Sequence, residues 1–208
     1  KLLFCPSYYS PDPILDKVFG QRPEGYLEKI GKEAHPSVEI LWTGPKVISP
    51  EISGAHLREV AETLKRKPFL CDNLYANDGP RNCKFLKLKP CAGRDQDSLE
   101  SSAGWWFNPM NQAELSKIVL LSSAKAMMKG QEQEAALVSA IDELCPPPVA
   151  SFLKANRLAL LEEGLDKIPE ATKTEWTKAL DSMPGEAAAE IAGWLRGEYS
   201  VGAECLTD

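Results

Sequence analysis

Four short apolar runs, Leu2 to Cys5, Val38 to Trp42, Phe69 to Cys71 with its extension to Leu74, and Lys84 to Leu88, set the terms on which this chain can fold. Each is too short for a core helix and reads as a strand. Between the first three lie stretches long enough for a return helix. His56 to Lys67 places Leu57, Val60, Ala61 and Leu64 on one apolar face, after a Pro50-Glu51-Ile52-Ser53-Gly54 lead-in and before Pro68. Gly25 to Ala34 reads as a weaker helix of the same kind. Strand, helix, strand, helix, strand predicts a parallel sheet with right-handed crossovers and the helices on one outer side. Arg94 to Trp106 is polar before its two tryptophans and reads as a long loop.

Asn111 is a candidate cap for a helix with Glu114 at its third position; Leu115, Ile118, Val119 and Ser122 line its inner face until Lys129-Gly130 ends it. After Gly130 the pattern becomes wholly helical: Glu132 to Leu144, Val149 to Glu163, Lys173 to Met183 and Glu186 to Trp194, separated by prolines and glycines. The expected organisation is a sheet-forming part over residues 1–130 and a helical appendage over 131–208. Four strands cannot close a barrel, so either further strands come from residues or a chain outside this one, or the sheet is a smaller open one. Lys1 is followed at once by the strand-like Leu2-Leu3-Phe4-Cys5, which favours a preceding part.

Of 208 residues 43% are apolar and 26% charged, an ordinary globular balance. Twenty-four basic against thirty acidic residues leave a net charge of -6, which gives no field to draw in a nucleic-acid backbone, and no apolar stretch is long enough to span a membrane. The six cysteines, Cys5, Cys71, Cys83, Cys91, Cys145 and Cys205, form no close metal-ligand pair; inert thiols are expected, with a Cys83 to Cys91 disulfide as the alternative, and cytoplasmic residence is favoured. The only histidines, His35 and His56, sit in or beside outer helices, so a histidine triad or histidine metal site is not expected, and no glycine-rich phosphate loop is present.

Polar residues gather immediately after the apolar runs, which in a parallel barrel is the side of the active mouth. Cys71-Asp72-Asn73-Leu74-Tyr75-Ala76-Asn77-Asp78-Gly79-Pro80 is the densest case. Its carboxylates and amides suit sugar hydroxyls, although Asn77-Asp78-Gly79-Pro80 reads equally as a plain turn. Asp72, so near a strand core, calls for a paired or site-lining role. Ser7-Tyr8-Tyr9 and Trp42-Thr43-Gly44-Pro45-Lys46-Val47 have the same placement. Aromatic rings there fit either a core or a carbohydrate pocket, and three such strand ends together favour the pocket.

These segments, Phe4-Cys5-Pro6-Ser7-Tyr8-Tyr9, the run from Val38 to Val47, the run from Asp72 to Asp78 and Asn108-Pro109-Met110-Asn111-Gln112-Ala113-Glu114, resemble consecutive signatures of the O-GlcNAcase and hyaluronidase-like β-N-acetylglucosaminidases (glycoside hydrolase family 84), in family order over about residues 1–130. The resemblance implies an α/β fold: the last four strands of a partial (β/α)8 TIM barrel, followed by a small α-helical region. It implies a retaining hydrolysis of β-linked N-acetylglucosamine in which the substrate's acetamide oxygen is the nucleophile, one Asp orients the acetamide and the next Asp is general acid and then base. That Asp pair would close the strand preceding this sequence; it is absent here, and Asp72-Asn73 is not it. Carried over by position, Tyr9 would place its hydroxyl near the reacting acetamide and anomeric centre, Cys5, Thr43 and Val47 would line or border the acetamide pocket, Asn73 would help hold the acetamide end of the site, and Asp78 and Asn108 would bind the distant hydroxyls. Cys71 stands where the family usually has a tryptophan wall, so a looser cavity or compensation by Trp42, Trp105 or Trp106 is expected.

The resemblance implies no metal and no organic cofactor, since the substrate supplies the nucleophile. The implied partners are a GlcNAc-bearing glycoprotein or glycan and the N-terminal half of the barrel, in the same or another chain, without which this chain is expected to be inactive. A non-catalytic GlcNAc-recognising or scaffold protein derived from such an enzyme is the alternative, and a helical adaptor resting on residues 131–208 a third.

Overall fold

The computed structural model describes residues 2–202 as two compact units, one comprising the chain up to Leu74 together with Ala92–Asn108, the other Tyr75–Cys91 together with the chain from Pro109 on. In the first unit β1 (Leu2–Phe4), α1 (Ile14–Phe19), α2 (Tyr26–Glu33), β2 (Val38–Trp42), α3 (Gly54–Leu64), β3 (Phe69–Asp72), α4 (Gln96–Glu100) and β4 (Gly104–Phe107) follow one another. The four strands form one parallel sheet in the order β1-β2-β3-β4, so each return segment crosses to the neighbouring strand.

Strand alternation sorts the side chains onto two faces. One face carries Ile40, Trp42 and Leu70, all buried, against Leu57, Val60 and Leu64 of α3, with Leu27 and Ile30 of α2 and Trp105 of β4 packed around them. α2 and α3 approach closely at Gly31, where an added Cβ would lie 2.7 Å from the Leu64 backbone. Arg66, just past α3, spends all five of its N–H donors on backbone carbonyls, those of Gly31, Ala34, His35, Val38 and Leu64, and so also caps the end of α2.

A second arginine holds the opposite end of the sheet. Arg94 donates from Nε and Nη2 to the two carboxylate oxygens of Asp72, both at 2.7 Å, and its remaining N–H groups go to the carbonyls of Ser49, Pro50 and Ala92. Both side chains are fully buried. Asp72 also accepts from the Trp105 indole and the Leu74 backbone. The pairing expected for Asp72 is therefore internal.

Two expectations about the strands are corrected. Lys84 to Leu88 is not a strand: a short 3₁₀ turn, Asn82–Lys84, precedes it, Leu86 N donates to Leu160 O, and Leu88 N and Lys89 N bond back to Leu86 O and Lys87 O. Its leucines alternate inward as in a strand, but its peptide groups are satisfied by tight turns and a helix rather than by a ladder. The fourth strand is Gly104–Phe107, inside the segment read as a loop, which also holds the short α4. Three consecutive aromatics suit a pleated strand that is partly covered on both faces.

The second unit is helical: α5 (Ala113–Lys129), α6 (Gln133–Leu144), α7 (Pro147–Leu158), a π-helical turn (Ala159–Glu163), α8 (Glu170–Asp181) and α9 (Glu186–Leu195). Its compact boundary places α5 with the later helices. α5 is not capped by Asn111. Gln112 is the N-cap and its side chain makes no cap bond; instead Glu190 of α9 accepts from the backbone N–H groups of Glu114 and Leu115, both at 2.9 Å. A carboxylate there satisfies two orphan donors and opposes the positive end of the helix dipole. Asn77, buried, donates to Phe85 O and Gln112 Oε1 and accepts from Asn111 N, and the Trp194 indole donates to Cys83 O. The five described cysteines form no disulfide with one another, and Cys205 lies outside the described residues.

Two outcomes follow from the first unit. Arg94→Met leaves a fully buried carboxylate unpaired and should cost about 3–5 kcal/mol, whereas Arg94→Met combined with Asp72→Asn should recover part of that loss; urea unfolding of the complete protein checks this, and equal losses in the two variants would refute it. His56 Nε2 accepts from the Trp42 indole at 3.0 Å, and burial holds the imidazole below its ordinary range against a smaller pull from Glu59. Folding thus favours neutral His56, so its contribution is present above the unfolded value of 6.5 and is lost as pH falls through the lower folded value. Melting temperature should fall on acidification through that window, and His56→Gln, which keeps an acceptor for Trp42, should flatten the profile.

Candidate functional site

In parallel strands residues two apart share a face, so the register decides which side chains meet. Phe4 pairs with Ile40, Trp42 with Leu70, and Cys71 with Trp106. The face away from α2 and α3 therefore receives Leu41 from β2, Phe69 and Cys71 from β3, and Gly104 and Trp106 from β4. Continuing the alternation past the C-terminal strand ends adds Cys5, Thr43, Asn73 and Asn108. Asp72 and Asn73, adjacent in sequence, are thus assigned to opposite faces.

The candidate residues of the first unit are joined by consecutive contacts. Tyr9 packs against the cluster of Tyr8, Leu15 and Val47, and its carbonyl accepts from Thr43 N at 3.0 Å. Thr43 is buried, and its hydroxyl donates to Lys46 O at 3.0 Å, so it lines this edge of the sheet without an evident donor to spare. Val47 O accepts from Asn73 Nδ2 at 2.7 Å, and Asn73 Oδ1 accepts from Asn108 Nδ2 at 3.2 Å. Asp12 fixes the loop from below by accepting from Val47 N. The two amides are held in a defined orientation while each keeps a second N–H, and Asn108 its carbonyl oxygen, outside these bonds.

Cys5 is exposed and Cys71 half-buried. Burial pushes both thiols up; Cys71 raises Cys5 further, while a hydrogen bond with the Trp106 indole works against the rise at Cys71. Both are protonated thiols at neutral pH, without the thiolate character a nucleophile needs. Asp78 belongs to the second unit, where it is exposed beside the buried Asn77. Of the three tryptophans considered for the place of an aromatic wall, Trp42 and Trp105 pack with the helix-side core, and Trp106 shares the face of Cys71. Sequence reasoning missed Arg94, which ties the strand end bearing Asn73 to the loop bearing Val47; one arginine in a polar stretch gives no sign of burial. No cluster of His, Cys, Asp or Glu suited to a metal ion occurs among the described residues.

Residues 1–155 match a family model described as beta-N-acetylglucosaminidase. Protein O-GlcNAcase of Rattus norvegicus and that of Mus musculus are each 34% identical to the chain over 143 residues, covering 67% of this chain and 15% of theirs. Among solved structures, a mutant of the Thermobaculum terrenum O-GlcNAc hydrolase superposes with a TM-score of 0.67 at 24% identity, over 95% of this chain and 47% of that one, a likeness of fold. The chain spans about 15% of the length of the curated relatives it matches and under half of the solved structure. With the family model matched over most of its length, the chain belongs to the O-GlcNAcase-like β-N-acetylglucosaminidases, a family of glycoside hydrolases.

Proposed function

We propose that the complete protein hydrolyses β-linked N-acetylglucosamine with retention, and that these residues supply part of its sugar pocket. In this reading β1 to β4 are the last four strands of a (β/α)8 barrel, the barrel portion runs to about residue 130, at the end of α5, and the helices beyond form an appendage. What supports it is the linked set Tyr9, Thr43, Val47, Asn73 and Asn108 at the C-terminal edge of a parallel sheet, in a chain of this family. That edge is where barrel enzymes place their chemistry.

The proposed reaction is substrate-assisted. The acetamide oxygen attacks the anomeric carbon as the bond to the leaving oxygen breaks, forming an oxazoline that keeps the acetamide N–H proton on its ring nitrogen, and a carboxylic acid gives its proton to the leaving oxygen. The resulting carboxylate then takes a proton from water, which opens the oxazoline and restores the acetamide. Two adjacent aspartates would steer the acetamide and move the proton; no two consecutive aspartates occur in this sequence, so this role falls to residues outside it. Tyr9 would direct its hydroxyl to the acetamide, with Cys5, Thr43, Val47 and Cys71 bordering the acyl group. Asn73 would use its second N–H at the acetamide end, and Asn108 and Asp78 would take the far hydroxyls. The substrate would be a GlcNAc-bearing glycoprotein or glycan.

Asp78 is the sharpest test. Its loss should remove charge-assisted bonds to the sugar, about 1.5–3 kcal/mol, while an exposed side chain contributes little packing. Calorimetric titration of a GlcNAc-derived inhibitor into the complete protein and its Asp78→Ala variant should show about a tenfold or greater loss of affinity with little change in melting temperature. Equal affinities in two well-folded proteins would remove Asp78 from the site. Tight inhibitor binding without turnover of an aryl GlcNAc substrate would favour the non-catalytic, sugar-recognising reading.

A further inference from the structure

Asp78 lies in a run of the second unit whose other members are shut away from solvent: Tyr75, Ala76, Asn77 and Gly79 are all buried. An asparagine that merely shapes a turn bonds to its own backbone two residues on. Asn77 instead spends its amide on distant chain. Its Nδ2 donates to Phe85 O at 3.2 Å and to Gln112 Oε1 at 2.8 Å, and its Oδ1 accepts from Asn111 N at 2.8 Å, partners 8, 35 and 34 residues away. Asn111 and Gln112 lead into α5, whose start is itself fixed by Glu190 of α9. Tyr75 adds a second tie to the same helix, its hydroxyl lying 2.9 Å from Ser123 Oγ. On the other side of Asp78, Gly79 O accepts from Cys83 N at 2.8 Å. The backbone that carries the carboxylate is therefore clamped on both sides, and on one of them the clamp is a buried pair of amides.

That pair is not an economical way to fill space. Gln112 gives its oxygen to Asn77, and its own Nε2 is buried with no hydrogen-bond partner among the described residues. A leucine of similar volume would leave no donor unmet, so for packing alone an apolar residue serves at least as well. What an apolar contact does not do is fix direction, whereas a hydrogen bond sets both the distance and the angle at which two segments meet. We infer that Asn77, held by Gln112, is a positioning residue that sets where the Asp78 carboxylate stands. The inference rests on the reading of Asp78 as a sugar ligand and adds the contact that places it. A purely architectural Asn77 would affect stability and leave binding alone.

The test is a double-mutant cycle on the complete protein, read by calorimetric titration of a GlcNAc-derived inhibitor at a temperature where the variants are folded. Gln112→Leu removes one partner of Asn77 together with the unmet donor, so melting should change little while affinity falls about threefold. Asn77→Leu frees the run from both Phe85 and the lead-in to α5 and should lower affinity about fivefold or more. In an Asp78→Ala background neither substitution should lower affinity further, because the carboxylate they place is gone. If Asn77→Leu does not fold, Gln112→Leu decides the matter. Unchanged affinity in the folded single variants would overturn the assignment, as would a loss of the same size with and without Asp78; either result leaves Asp78 standing as a sugar ligand. Wild-type affinity in Asp78→Ala itself would remove that underlying reading, and the assignment with it.

Discussion

The Arg94–Asp72 pair is the constraint on which the C-terminal edge of the first unit's sheet depends. Three separate stretches of chain converge on one guanidinium: the end of β3 through Asp72, the loop after β2 through Ser49 and Pro50, and the segment just before Gly93 through Ala92. Burying two charges carries a large desolvation penalty, offset here because every N–H of the guanidinium has an acceptor and each carboxylate oxygen has a second donor. An apolar pair of equal volume could fill that space, but it would not fix the orientation of two loops at once. The amides of Asn73 and the carbonyl of Val47, which meet at 2.7 Å, lie on the two segments so fixed.

Much of this was legible in the sequence. β1, β2 and β3 were readable because short apolar runs alternated with helix-length segments, and the strand ends announced Thr43, Asn73 and Tyr9 as neighbours of one edge. β4 was not, since Gly104-Trp105-Trp106-Phe107 has no alternation of polar and apolar residues and follows a polar tract. The converse error at Lys84 to Leu88 has the same origin: a period of two reports extended backbone with one buried side, and a loop closed by tight turns shows it as readily as a strand. Arg94 and Glu190 escaped because each acts on a distant partner, 22 and about 75 residues away, and nothing in their immediate surroundings marks them as buried or capping residues.

The helical unit shows what tertiary structure substitutes for local signals. α5 begins without a side-chain cap of its own, although Asn111 stands next to the start. Asn111 spends its backbone N–H on Asn77, and the cap comes from α9 instead. Local preference is a weak prior, and a carboxylate delivered by packing replaces it.

The division of β3 into two faces has a consequence for how such a protein can change over time. Leu70 and Asp72 answer to the helices and to Arg94, while Phe69, Cys71 and Asn73 answer to the opposite face. Substitutions at the second set are insulated from the scaffold by the pleat of a single strand, so the character of that face can drift while the ion pair stays fixed. Insertion or deletion of one residue within the strand enjoys no such insulation: it would turn the carboxylate away from the helices and the amide toward them, destroying both arrangements at a stroke. This stretch of chain should therefore record a history rich in replacements and empty of length changes.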